Sequence, residues 1–232
     1  LTILLCIVSL IGIGICVAYL SYGENLYSVG AFWTSPVLVT LICNELGKYF
    51  LYRILYQDDK SLNLRESAIA RKKKTLRHRL TDAIKICGVI GFFFSIYGLL
   101  CISFGASVLE HYEETITLAF ILTILTIFPL IIFLGANSCL HYLWTDTLEI
   151  NNQIHKSYIL LIKISAAGAI FGAWSGSIVV PLDWDRQWQV YPIPNIIGAL
   201  LGYSLGTLTM MSQKLISRFV PSFIFLPCSG YS

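Results

Sequence analysis

Six long apolar stretches, at residues 1–21, 29–56, 83–107, 115–144, 158–180 and 193–219, decide most of what this chain can become. Each is about as long as the roughly 20 residues a helix needs to cross the hydrocarbon core of a bilayer. Inside that core there is no water to satisfy backbone N–H and C=O groups, so the helix is the natural spanning unit. Hydrophobic residues make up 56% of the 232 positions and charged residues only 12%, which excludes an ordinary soluble domain. The expectation is an all-α, polytopic membrane protein, with residues 1–232 forming one transmembrane domain, a six-helix bundle. Leu1 opens inside an apolar run, so further residues are expected upstream. That run is longer than the apolar core of a signal peptide and lacks a small-residue cleavage site, so it reads as a true span.

Orientation follows from charge. The loop at 57–82 holds Lys60, Arg65, Arg71, Lys72, Lys73, Lys74, Arg77 and Arg79. Short basic loops stay cytoplasmic. With six spans, both termini are then cytoplasmic, and the opposite loops carry Glu24, then Glu110, Glu113 and Glu114, then Asp183, Asp185 and Arg186. Of the 16 Lys and Arg residues, only Arg186 falls on that far side. The basic loop reads first as this topology signal; its other use is docking to anionic headgroups or an acidic partner.

The fifth and sixth stretches carry a glycine at every fourth position: Gly168, Gly172 and Gly176, then Gly198, Gly202 and Gly206. At about 100° per residue, such glycines line a shallow groove along one helix face, where another backbone can approach closely. The two grooves can face each other, or one can receive a helix from another chain. In the second stretch, Asn44, Glu45 and Lys48 interrupt the apolar run. Glu45 and Lys48, three apart, share a face and can neutralise each other. The preferred reading is that Lys48 snorkels to the cytoplasmic surface and takes Glu45 with it; the functional reading is a polar seam for a partner helix or lipid headgroup. Pro129 predicts a kink in the fourth span. The seven cysteines form no CxxC and no metal-spaced cluster, and read as small core residues.

Between the glycine arms lies a polar tip, residues 181–194, with Asp183, Trp184, Asp185, Arg186 and Trp188 in close succession. Its chemistry allows three uses. Two carboxylates can chelate a divalent cation while Arg186 holds a phosphate. Alternatively, Asp185 and Arg186 close a turn that Trp184 and Trp188 anchor among headgroups. Third, the tip is a rigid plug for a partner protein, since Trp and Arg are favoured interface anchors. Two acids alone make no metal site, and no nucleophile with an adjacent base stands in the far-side loops, so no catalytic residue, metal or cofactor is expected.

The block Phe171-Gly-Ala-Trp174, Pro181-Leu-Asp-Trp-Asp-Arg-Gln-Trp-Gln189 and Pro192-Ile-Pro194, followed by Gly198-x-x-x-Gly202, resembles the hallmark of the phosphatidylinositol-glycan biosynthesis class F family, PIG-F. It departs from that pattern at Ser175-Gly-Ser177 and at Tyr191, which suggests a distant member. The resemblance implies a non-catalytic multi-pass subunit of the endoplasmic reticulum membrane. Such a subunit pairs, as a heterodimer, with a large catalytic ethanolamine phosphate transferase that modifies mannoses of the glycosylphosphatidylinositol anchor precursor. It further implies a lumenal tip, with Pro181, Pro192 and Pro194 shaping it, contact with membrane phospholipids, and no nucleic-acid partner. The alternative is a small lipid transporter or scramblase using Asn44, Glu45, Lys48 and Asn137 as a polar path, although no inverted repeat is visible.

Overall fold

The structure, a computed structural model, describes residues 1–22, 25–33, 36–60, 76–104, 106, 112–145, 153–182 and 186–219. Among them are seven α-helices and no strand: α1 (Thr2–Ser21), α2 (Val37–Lys60), α3 (Leu76–Ser103), α4 (Tyr112–Leu134), α5 (Ala136–Thr145), α6 (Gln153–Ser177) and α7 (Ile193–Phe219). Five of them, α1, α3, α4, α6 and α7, are long and apolar enough to cross a membrane. The 24 residues of α2 extend about 36 Å, enough to cross as well, but it carries Glu45, Lys48 and Arg53.

The bundle is built around α4, the most deeply buried of the five apolar spans, which packs against α2, α3, α5, α6 and α7. Its threonines fit an apolar core because each hydroxyl is satisfied locally. Thr123 and Thr126 donate to the carbonyls of Ala119 and Leu122, both at 2.7 Å. The tightest pair is α6 with α7, while α1 closes the far side against α2, α6 and α7. Trp33, at the α1–α2 connection, and Trp144, at the end of α5, are almost fully exposed at opposite ends, the positions interfacial tryptophans take.

Two of the predicted spans are corrected. The second does not begin at residue 29. Residues 25–33 form turns instead, with Val29 and Ala31 amides bonded three residues back, and the Asn25 amide caps α1 by donating to the Tyr22 carbonyl at 2.7 Å. The helix starts only after Pro36, whose carbonyl accepts from the Thr40 amide at 2.9 Å; a proline suits a first helical turn, where the missing N–H costs nothing. The predicted fourth span, 115–144, is two helices, and the helix runs on through Pro129 to break at Gly135. Gly135 has φ +79°, a left-handed conformation that ends a helix. Its amide closes the last turn on Ile131 at 2.7 Å, and its carbonyl opens α5 by accepting from Cys139 at 2.9 Å.

This break yields a prediction. A Cβ on Gly135 would touch nothing within 4 Å, so Gly135→Ala isolates the backbone cost of the left-handed residue, about 1–2 kcal/mol. Thermal unfolding of the purified variant is expected to move down accordingly, and Gly135→Asn to move it less; an unchanged midpoint for the alanine would contradict the break as described.

Candidate functional site

The tip belongs to one end of the bundle, where it and the α1–α2 connection are both fastened to the start of α4. The amide of Phe32 donates to Glu113 Oε1 at 2.9 Å, and Thr117 Oγ1 donates to the Gly30 carbonyl at 2.8 Å. A Cβ on Gly30 would come within 2.8 Å of Glu114 Cγ and 3.2 Å of Pro192 Cδ, so only glycine lets the first connection lie between α4 and the tip. From the tip itself, Gln189 Nε2 donates to the Val179 carbonyl at 2.8 Å, and Tyr191 Oη donates to Thr115 Oγ1 at 3.1 Å. Burial pushes the Tyr191 hydroxyl up to about 12, the Thr115 bond opposing it, so it keeps its proton and stays a donor at neutral pH.

These anchors hold the tip as a short 3₁₀ turn, Gln187–Gln189, with Gln189, Pro192 and Pro194 buried and Pro181, Arg186 and Trp188 exposed. Asp183, Trp184 and Asp185 lie outside the described residues, as do Glu110 and His111, so the chelating arrangement is not described. Among the described residues, no three His, Cys, Asp or Glu side chains gather to hold a metal ion.

Behind the tip, the two glycine grooves face each other. A Cβ on Gly168 would overlap the Gly202 carbonyl oxygen, one on Gly172 that of Gly198, and one on Gly176 that of Pro194. The relation is mutual: a Cβ on Gly198 or Gly202 would overlap the carbonyl of Gly172 or Gly168, and one on Gly206 would come within 2.7 Å of Ile164 O. Both grooves are consumed within the chain, and neither is left open to a foreign helix.

The second polar locus lies between α2 and α7. Lys48 Nζ is 2.6 Å from Glu45 Oε1 and donates to Tyr203 Oη at 2.5 Å, while Tyr203 Oη donates to the same Glu45 oxygen at 3.0 Å. All three residues are buried, Lys48 being only 3% exposed, so the snorkelling reading is wrong. The reason is the late start of α2, which makes Lys48 the twelfth of its 24 residues, in the middle of the helix rather than near an end. Asn44 fits over Gly12 of α1, where a Cβ would overlap its side-chain amide. Tyr203 and Gly12 are the partners that sequence reasoning missed; a hydroxyl in the middle of an apolar arm was the signal for the first.

A tip tied to the start of α4, a closed glycine pair and one internal charge pair describe a bundle whose strongest polar contacts are made within the chain. Over 138 residues, the chain is 30% identical to a Mus musculus protein described as GPI ethanolamine phosphate transferase, stabilizing subunit, the match covering 60% of this chain and 61% of that one. A Homo sapiens protein of the same description is 32% identical over 137 residues, with 58% and 60% covered. A Pyricularia oryzae protein, glycosylphosphatidylinositol anchor biosynthesis protein 11, is 37% identical over 108 residues, covering 47% and 38%. The chain thus spans about 60% of the length of the mammalian relatives. No solved structure matches it. The model of the family matches residues 13–211, nearly the whole chain including α2 to α6 and the tip, and the protein therefore belongs to the GPI biosynthesis protein family Pig-F.

Proposed function

We propose that this chain is a non-catalytic, stabilising subunit of an ethanolamine phosphate transferase that modifies mannoses of the glycosylphosphatidylinositol anchor precursor in the endoplasmic reticulum membrane. The relatives' descriptions support the role. In this reading α2 crosses the membrane together with the five apolar spans, because Glu45 and Lys48 neutralise each other and Tyr203 completes the set. Six crossings put both termini and the basic loop in the cytoplasm and the tip in the lumen. The catalytic machinery and any metal belong to the partner, and membrane phospholipids surround the exposed apolar faces.

The observation that carries the reading is the tip's construction. Gln189, Tyr191 and Pro192 are tied into the bundle, while Arg186 and Trp188, residue types that dominate interface energetics, stay exposed beside them, Trp188 at 38%. The closed glycine pair works inside the chain, so the tip and the outer helix faces remain for the partner. As for the transporter reading, Glu45, Lys48 and Tyr203 are bonded to one another and packed, which argues against their lining a polar path.

The test is purification of the tagged chain from its native membrane in mild detergent. A large transferase is expected as a stoichiometric companion, and Trp188→Ala combined with Arg186→Ala is expected to weaken the association by about 2 kcal/mol, roughly thirtyfold in Kd, at an unchanged level of the chain itself. A stable chain without a companion that turns over a phospholipid alone would overturn the proposal.

A further inference from the structure

A cavity of about 410 Å³ lies at the tip end of the bundle, walled by α3, α4, α6 and the start of α7. It is independent of the outward face of the tip, and the reading of function above does not use it. Its walls run from Tyr97 on α3 to Phe104 just past its end, and from Ile170 to Ser177 along α6, seven helical steps in each case, or about 10 Å. It therefore reaches from the level of the tip into the apolar span.

Two features narrow what can fill it. First, α3 and α6 flank the cavity without packing against each other, and Leu100 and Phe104 on one side and Ile170 and Trp174 on the other are about half exposed. The cavity thus opens sideways between two helices apolar enough to span, a direction that faces the bilayer in the six-crossing reading above. Second, it is too short to seat a spanning partner helix, which needs about 30 Å of groove against the roughly 10 Å walled here. The volume instead suits a small ligand held in an apolar pocket with a few polar groups.

The hydroxyls on its wall have a common bias. Ser177 Oγ gives its hydrogen to the Trp174 carbonyl at 2.6 Å, and Tyr191 Oη gives its hydrogen to Thr115. Tyr97 Oη pairs with Thr126 Oγ1 at 2.9 Å, and because Thr126 already donates to Leu122, the tyrosine is the donor there too. Asn195 donates from Nδ2 to the Ala173 carbonyl at 3.3 Å, and its buried Oδ1 has no partner among the described residues. The three hydroxyls have spent their hydrogens inside the protein and offer lone pairs, while the Trp174 indole N–H and the second Asn195 amide hydrogen remain as donors. Such a lining suits a head group that both donates and accepts, as a hydroxyl does. A phosphodiester brings only acceptors.

The geometry points to a binding site for a membrane lipid whose polar end is a hydroxyl group, its head among Ser177, Tyr191 and Asn195 and its apolar body leaving between α3 and α6. A diacylglycerol and a sterol share that chemistry. The test uses the full chain in nanodiscs, with three photoreactive probes carrying a diazirine in the apolar part: a diacylglycerol, a sterol and a phosphatidylcholine. Labelled residues are mapped by peptide mass spectrometry. At least one hydroxyl probe is expected to label residues 97–104 and 170–177 fivefold or more above the phosphatidylcholine, and the stronger of the two identifies the source. Ala173→Phe from α6 and Leu122→Trp from α4, which fill the cavity from different walls, are expected to abolish that labelling while the outer face of α3 near Phe92 keeps its own. Equal labelling by phosphatidylcholine, or no enrichment over the outer face, overturns the proposal in the wild-type protein alone. So does labelling that survives in a folded cavity-filling variant.

Discussion

Gly172→Leu is expected to abolish recovery of folded protein, whereas Gly88→Leu leaves it intact. Both replace a helical glycine with the same side chain, and both add apolar surface to a membrane helix. The difference is what the new atoms meet. At Gly172, the Cβ alone collides with the Gly198 carbonyl and lies 3.1 Å from Gly202 Cα, backbone atoms that cannot rotate away; at Gly88, nothing lies within 4 Å. Relief requires α6 and α7 to move apart, and because the glycines interlock at several levels, separation at one loosens the others. Overpacking a well-fitted site costs typically 1–3 kcal/mol, a range that applies to Gly172→Ala; leucine adds three further carbons against the same backbone and goes beyond it. In lipid, where no hydrophobic force returns the helices to each other, close packing carries much of the association. The measurement is the monodisperse fraction and thermal midpoint in detergent for Gly172→Ala, Gly172→Leu, Gly202→Leu and Gly88→Leu. A Gly172→Leu protein that melts with the wild type would mean that the two helices do not meet at this face.

Much of this architecture can be read from residues alone, and the parts that cannot have identifiable physical causes. Apolar length marks the spans because the bilayer demands it locally, segment by segment. A four-residue glycine period marks a close-packing face for the same local reason, but which face it meets is a long-range matter settled only when Gly172 is found against Gly198. The break at Gly135 was hidden because a glycine of positive φ looks like any other glycine in an apolar run, while Pro129 announces itself and leaves the helix unbroken. The late start of α2 was hidden by apolar composition: Val29, Ala31, Phe32 and Trp33 extend the hydrophobic run, yet turns hold them, and only Pro36 marked the true beginning. That shift of eight residues then misplaced Lys48 relative to the ends of its helix. Of the tip, Arg186, Trp188 and the prolines have a described setting, whereas Asp183, Trp184 and Asp185 stand outside it.

Because Lys48 is held in the interior, its loss is expected to have the second largest effect on the protein. Lys48→Met removes the cation bonded to Glu45 and leaves a carboxylate that is 1% exposed with one hydroxyl donor among the described residues, Tyr203. Glu45→Gln leaves the ammonium with no counter-ion among the described residues. Breaking one side of a buried pair costs about 3–5 kcal/mol, since the remaining charge keeps its desolvation penalty without its partner. Each single variant is therefore expected to lose much of the stability of the bundle, visible as a fall in thermal midpoint and in yield. The combination Glu45→Gln with Lys48→Met removes both charges, and is expected to recover most of what either loses, a coupling of several kcal/mol that a pair without mutual contact would not produce. Tyr203→Phe keeps the ion pair and deletes one hydroxyl that serves both charged members, so its cost is smaller, about 1.5–3 kcal/mol. The order of the four variants is the test. Were Lys48 at the membrane surface, its loss would be nearly neutral, the double variant would add nothing, and Tyr203→Phe would be silent. The ranking single charge loss, then tyrosine loss, then charge-free double belongs only to a lysine held inside the bundle.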